Sequence, residues 1–528
     1  MFFHKKEQPS FFYMWLTAGS VFVLKSLFLL LTPIRGLAST TWLIDDSLIE
    51  MCVSRNIAQG FGFSLDQIHP TTGAPFFWIY LESLNHFFLP FKDWAIRATF
   101  IESTLFGTLA TVLVFFIALK LTKDRRIAWT AFLLSTFTAS AFFNAMNGMD
   151  TAIFTFFVLL GLALFLGVGR PNKWSNFAWG GVTGLALGLA LMTRGDGIFV
   201  LFGLFCVRVY ELLTSKGDER RETGKSLLGM LIIAGLCFTF FMGWQLLQTG
   251  SPFPGNQVGR RELALAWHGF SFSNFSLPRY LTIVAWMVFQ LTDLITIATG
   301  GFLLALVAFL TGAFNKDLKK LSIFSAIYFV IFFGLLVGYQ WYFADFHGLR
   351  YLNSSAHILF IYIAFLFWRI PVDLWKKGVV TLLGLALIIL AGYKHYQQGT
   401  RMALAKYMSY ISQPDPVQNK IMWGTIDWMR DNLPAGTLVG VRDYGRVCLF
   451  TSALVQDIAG NIDPAAAAAL NEGALDKFLK DRNINYLLIP SLEMRSDKLY
   501  QYLHKNLRLE QVKEAPVSPT QILYQIIW

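Results

Sequence analysis

The sequence predicts a polytopic α-helical membrane protein, with about eleven transmembrane helices and a small α/β domain at its C-terminal end. Three observations predict it. Of 528 residues, 55% are hydrophobic, only 15% are charged and 51 are Phe, a balance foreign to ordinary soluble domains. Apolar runs near the ~20 residues needed to cross a bilayer recur as far as residue 396. The net charge of +11 collects in short loops between those runs, as the positive-inside rule requires, so it reports topology and implies no nucleic acid partner.

The chain opens with the basic stretch MFFHKKEQ and a first apolar run at 11–33. No small-residue cleavage site follows promptly, so this run is read as a retained span and not as a signal peptide. Further spans are expected at 94–119, 127–146, 151–168, 176–193, 197–213, 227–247, 290–314, 321–342, 352–368 and 378–396. The segment 76–89, FFWIYLESLNHFFL, is apolar but too short to cross, which favours an interfacial helix. Laying it flat puts KLTKDRR at 120–126 on the same side as Lys5, Lys6, Arg170, Lys173, the run 216–225, KDLKK at 316–320, Arg369, Lys376 and Lys377. The same argument makes 278–289 a second interfacial segment. The N-terminus is then cytoplasmic and the C-terminus outside.

From residue 397 the composition turns soluble. IMWGTIDWMRDNLPAG reads as a helix ended by Pro434 and Gly436, TLVGV as a strand, DPAAAAALNEGALDKFLKDRN as one or two helices, and INYLLIP as another strand. The chain is thus divided into a transmembrane domain, 1–396, and an extracytoplasmic α/β domain, 397–528. The outer domain carries no Gly-rich nucleotide loop, Walker motif or metal-ligand spacing, and it reads as a lid or docking platform.

This topology gathers dispersed polar stretches on the outer face: Asp45, Asp46 and Arg55 in the first loop, HPTTG (69–73), NGMD (147–150), TRGD (193–196), GSPFPGNQVGRR (250–261) and DFHGLRY (345–351). Such a grouping, with few charges inside the spans, suits an interfacial reaction site better than a conduction path. Lys25 and Asp293 are the exceptions within spans, read as packing or snorkelling groups. The four Cys, at 52, 206, 237 and 448, show neither metal-ligand spacing nor a disulfide framework, and a Cys52–Cys448 bridge is not expected, because nothing in the sequence brings the two together.

From Asp45 to Gln59 one helical face carries Leu48, Ile49, Cys52, Val53 and Ile57 and the other Glu50, Ser54 and Gln59, which predicts a helix lying on the membrane surface and ended by QGFGF. Neighbours on a helix diverge by ~100°, so Asp45 and Asp46 cannot flank one sugar from both sides. One acts while the other orients or binds a metal. A single acting carboxylate suits attack by an acceptor hydroxyl on a sugar whose leaving group is a lipid phosphate. Phosphate leaves without a general acid but needs fixed cations, for which Arg194, Arg350, Arg260 and Arg261 are the outward candidates. Arg55, His69, Asp150, Asp196, His347 and Tyr351 are the further candidates for substrate contact.

These residues resemble the GT-C superfamily of polytopic, polyprenyl-phosphate-sugar-dependent glycosyltransferases, nearest to the bacterial branch that includes mycobacterial arabinofuranosyltransferases. The resemblance rests on DDSLIEMCVSRNIAQGFGF, HPTTGAPFFW, NGMDTAIF, MTRGDGIF, HGLRYL and the outer-domain WMRDNLPAGTLVGVRDYG, ordered along nearly the whole chain. Gly195 and Asp150 depart from the family's usual Pro and Glu, and NSS (353–355) stands where a Pro is frequent. The resemblance implies an inverting transfer at the outer face of a bacterial inner membrane. Asp45 is then the general base, Asp46 its support, and a polyprenyl-phosphate sugar the donor, with a cell-envelope glycan, lipid or protein as acceptor. Metal dependence stays open, with Asp46 as the one ligand to test for Mg2+ or Mn2+. The competing reading is a lipid-linked-sugar flippase or transporter, for which polar groups belong near the midplane.

Overall fold

The computed structural model describes residues 8–38, 45–71, 73–89, 91–138, 144–171, 175–252, 308–339, 353–369, 417–442, 445–460, 462–489, 498–516 and 522–528. They fall into two compact units: one drawn from residues 1–31, 100–240 and 276–403, the other from 32–99, 241–275 and 404–528. Residues 32–99 therefore fold with the C-terminal segment. The expected domain boundary at 396/397 lies outside the described residues.

The first unit is a helical bundle. Its elements are α1 (Gln8–Leu31), most of α5 (Lys92–Thr122), α6 (Arg125–Phe137), α7 (Asp150–Phe165), α8 (Asn176–Thr193), α9 (Gly197–Thr214), most of α10 (Gly217–Thr249), α11 (Lys319–Tyr339) and α12 (Asn353–Arg369). Among the described residues five helices are long and apolar enough to cross a membrane: α5, α8, α9, α10 and the 11–31 stretch of α1. The run expected to cross at 127–146 is helical over the 13 residues of α6, where Asp124 caps the start by accepting from the Arg126 N–H at 2.9 Å. The expected segments 278–289 and 378–396, and most of 290–314, lie outside the described residues.

Small residues set the packing, as they do where lipid gives helices no hydrophobic reason to associate. Gly180, Gly184 and Gly188 are spaced four apart on α8 and form one stripe against α10. A methyl at Gly180 or Gly184 would strike the backbone carbonyl of Ser226 or Met230, and one at Gly188 would lie 2.6 Å from the Cys237 Cβ. Polar pairs join the other helices. Trp368 of α12 donates to Thr130 of α6 at 2.9 Å, Tyr362 to Ser322 of α11 at 3.2 Å, and Asn353 to Thr155 of α7 at 3.0 Å.

The second unit holds α2 (Ile34–Ala38), α3 (Asp45–Ala58), α4 (Phe76–Phe88) and the start of α5, together with a C-terminal α/β fold. That fold runs α13 (Val417–Asn432), β1 (Leu438–Val441), α14 (Gly445–Phe450), β2 (Leu454–Asp457), α15 (Pro464–Asn471), α16 (Leu475–Asp481), β3 (Tyr486–Ile489), α17 (Lys498–Asn506), β4 (Arg508–Gln511) and β5 (Ile522–Ile527). The sheet order is β2-β1-β3-β5-β4; β2, β1 and β3 are parallel, and β5 is antiparallel to both β3 and β4. Leu475, Leu479, Leu487, Leu499, Leu503 and Ile526 form its core. After β2 the carboxylate of buried Asp457 accepts four backbone N–H groups, from Ala459, Gly460, Ile462 and Asp463, and so fixes the turn into α15. The predicted helix and strands of this region are present. The hairpin of β4 and β5 was not foreseen.

Candidate functional site

The expected site residues that are described fall into two clusters, one in each unit. The first is built on α3. Asp45 is its first residue and Asp46, the second, is half-buried.

The helix itself is held from all sides. Leu48, Ile49, Met51, Cys52 and Val53 are buried, as expected of the apolar face, but so are Ser47, Glu50, Ser54 and Asn56. Gln59, on the expected polar face, is exposed, whereas the buried polar residues are covered by protein: α4 packs on α3, and so does the short α14 of the C-terminal fold. Cys52 and Cys448 form a disulfide between α3 and α14, a bridge that was not expected. Arg55, a substrate-contact candidate, donates to the Cys448 carbonyl at 3.1 Å. Arg446 donates to the Ala38 carbonyl at 2.9 Å, and Arg35 forks onto both oxygens of Asp427 at 3.0 and 2.6 Å.

Beyond α3 the chain turns back through the HPTTG stretch. Asn56 anchors the turn by donating to the carbonyls of Ser64 and Leu65 at 3.0 and 2.9 Å. Asp66 is buried and accepts from the backbone N–H groups of Ile68 and His69. Its second oxygen lies 2.6 Å from Nδ1 of His69. That contact fixes the ring and leaves Nε2 as its free edge on a side chain 38% exposed. Thr71 donates to the Ile462 carbonyl at 2.7 Å, tying the loop to the turn that Asp457 organises. Sequence reasoning picked His69 but missed Asp66, although an Asp three residues before a His was a visible signal.

The second cluster lies in the bundle, where NGMD and TRGD meet. Asp150 opens α7, Arg194 follows α8, and Asp196 precedes α9. Nη1 of Arg194 reaches the two oxygens of Asp150 at 3.3 and 3.2 Å, and its Nε reaches Asp196 at 3.1 Å. All three side chains are at most 10% exposed. The Phe154 ring centroid lies 5.3 Å from the guanidinium carbon. One cation between two carboxylates leaves a net negative cluster when all three are ionised. Arg194 is therefore engaged by acids, which leaves an incoming phosphate little of it. The other expected phosphate ligands, Arg350, Arg260 and Arg261, lie outside the described residues, as do His347 and Tyr351. Among the described residues no three His, Cys, Asp or Glu side chains gather as a metal-ligand set.

Residues 79–249 match the family model of dolichyl-phosphate-mannose-protein mannosyltransferase, and residues 411–523 match a domain of unknown function, DUF8728. No curated protein matches the chain by sequence. Among solved structures, an oligosaccharyltransferase of Archaeoglobus fulgidus, in complex with Zn and sulfate, superposes with a TM-score of 0.55 at 16% identity, covering 89% of this chain and 67% of its own. Apo ArnT of Cupriavidus metallidurans superposes with a TM-score of 0.57 at 14% identity, covering 96% and 97%. These likenesses speak to fold. A mycobacterial arabinofuranosyltransferase, AftD, superposes with a TM-score of 0.39 at 12% identity, covering 96% of this chain and 40% of its own. Residues 79–249 are thus similar to the dolichyl-phosphate-mannose-protein mannosyltransferase family, and the chain shares the fold of the archaeal oligosaccharyltransferase and of ArnT.

Proposed function

We propose that the protein is an inverting transferase that moves a sugar from a polyprenyl-phosphate donor to a cell-envelope acceptor on the extracytoplasmic face, with Asp45 as general base. The observation that carries this reading is the Cys52–Cys448 disulfide. Disulfides persist in oxidising compartments, so the bond supports an outer location for both α3 and the C-terminal fold. The N-terminus is then cytoplasmic and the C-terminal domain extracytoplasmic. The bond also ties down the helix that opens with Asp45 and Asp46, and a positioned base is one whose proton transfer helps.

In this mechanism Asp45 takes the proton of the acceptor hydroxyl as its oxygen attacks the anomeric carbon, the bond to the phosphate oxygen breaks, and polyprenyl phosphate departs. Asp46 orients the acceptor or the base. Arg194 holds the NGMD and TRGD stretches together through its two acids. Neutralising the departing phosphate falls to Arg350, with Arg260 and Arg261. His69, held by Asp66, is placed to hydrogen-bond a sugar hydroxyl through Nε2. The role of the C-terminal domain follows from its contacts with α3: it is a brace for the acidic helix, in addition to any docking function.

The test is transfer in detergent. Purified protein given a polyprenyl-phosphate sugar and an envelope acceptor is expected to release polyprenyl phosphate with acceptor-dependent kinetics. A protein that moves lipid-linked sugar across reconstituted vesicles but releases no polyprenyl phosphate is a flippase, and the transferase reading fails.

A further inference from the structure

The corner where α4 meets α5 carries two features that the transfer reaction does not use. The first is an exposed aromatic patch: Phe87, Phe88, Phe91 and Trp94 are 70%, 71%, 68% and 54% exposed. The second is a group of cations behind it. Arg55 reaches the Cys448 carbonyl, and Lys92 sets its ammonium 4.7 Å from the ring centroid of Phe450, so both converge on the six-residue α14. His86, on the last turn of α4, lies close enough to feel the positive charge of both.

Among the described residues no ion pair joins any of the three to a carboxylate, and Asp93, next to Lys92, is exposed. Nε2 of His86 and Nε of Arg55 are buried without a hydrogen-bond partner. Arg55, Lys92 and an imidazole, held together with only the exposed Asp93 as a neighbouring acid, call for an anion that accepts several hydrogen bonds at once. Aromatic side chains of this exposure beside them are what a protein places at the level of lipid headgroups. The N-terminal amides of the 31-residue α5, which begins at Lys92, add to the same positive field.

We propose that Lys92, Arg55 and His86 form a subsite for the phosphate of an anionic bilayer phospholipid, with Phe87, Phe88, Phe91 and Trp94 seated among its neighbours in the leaflet. The charge complementarity selects an anionic over a zwitterionic headgroup, because the trimethylammonium of a zwitterion would have to be brought up to the same cations. The aromatic patch selects a lipid over a soluble phosphate.

The experiment uses the full chain in nanodiscs of phosphatidylcholine with or without phosphatidylglycerol, without donor. Native mass spectrometry counts retained phosphatidylglycerol, and thermal unfolding is followed in parallel. Wild type is expected to retain phosphatidylglycerol and to unfold at higher temperature in its presence. Lys92→Gln is expected to retain it about fivefold less, the effect of one basic residue at a lipid surface, and His86→Gln less as well. Both variants should match wild type in pure phosphatidylcholine, which shows that they fold. Equal retention by wild type and both variants overturns the proposal. So does an equal stabilisation by millimolar inorganic phosphate in pure phosphatidylcholine, which would make the ligand soluble. Retention of polyprenyl phosphate but not phosphatidylglycerol also overturns it, since the residues would then belong to the donor site.

Discussion

Cys52 of α3 and Cys448 of α14 are bonded across 396 residues of sequence, and both are buried. Breaking such a bond frees the unfolded chain, and the loss of a native disulfide typically costs ~2–5 kcal/mol. Cys52→Ser is expected to lower the apparent unfolding temperature, and reductant should bring wild type down to about the same value while leaving the variant unmoved. Thiol counting on the unfolded, unreduced chain should find only Cys206 and Cys237. Reactivity at Cys52 or Cys448 before reduction would exclude the bond.

How far the sequence was legible follows from which forces each feature depends on. Helix α8 was found to the residue, because an apolar run of spanning length is a local signal read from hydropathy alone. Helix α3 was found to within one residue at its end, yet the cover over its polar residues was not foreseen. An amphipathic pattern says that one face is apolar; it does not say that α4 and α14 will cover the other. The disulfide was missed for the same reason, since it depends on contacts between distant segments. The available signal was that Cys52 and Cys448 are the two cysteines outside the apolar runs. For Arg194 the motif and its place at a helix end were legible, but not that Asp150 would share the guanidinium with Asp196.

Arg194 bridges two buried carboxylates, and its removal leaves both unpaired. Loss of one partner from a buried ion pair costs ~3–5 kcal/mol. Arg194→Ala is expected to be strongly destabilised, and Arg194→Lys only partly rescued, because an ammonium cannot fork onto two acids as a guanidinium does. Pairing the substitution with Asp150→Asn and Asp196→Asn should recover part of the loss. An Arg194→Ala protein with unchanged thermal stability and weakened donor binding would return Arg194 to the phosphate.

His86 sits half-buried beside Arg55 and Lys92; burial first, then those two positive charges, push its pKa down from 6.5 to about 4. The folded state therefore binds this proton less readily than the unfolded chain. Its contribution to stability is complete above pH 6.5 and is lost as pH falls towards 4, by an amount on the order of 2 kcal/mol. The unfolding temperature of wild type relative to His86→Gln, equal at pH 7 in phosphatidylcholine, should fall steadily as the pH is lowered to 4. Taking the difference separates His86 from the buried Glu82 one turn earlier on α4. A difference that stays constant over that range would show that His86 titrates normally.

Asp45 and Asp46 open the same helix, and their roles separate by substitution. A general base contributes ~10²–10⁴-fold in rate, so Asp45→Asn is expected to slow transfer by about that factor. Donor affinity should survive, because the base acts on the acceptor's proton and not on the lipid phosphate. Asp46→Asn should do less; if Asp46 carries a metal, its loss should instead change the dependence on added Mg2+ or Mn2+. The competing role for Asp45 is to cap the start of α3, and Asn caps as well as Asp does. Under that role Asp45→Asn turns over at nearly the wild-type rate, whereas Asp45→Ala is slower and less stable. Measuring turnover, donor affinity and unfolding temperature for the two variants thus distinguishes a base from a cap: the base reading requires that Asn be as damaging to turnover as Ala, with stability preserved in Asn.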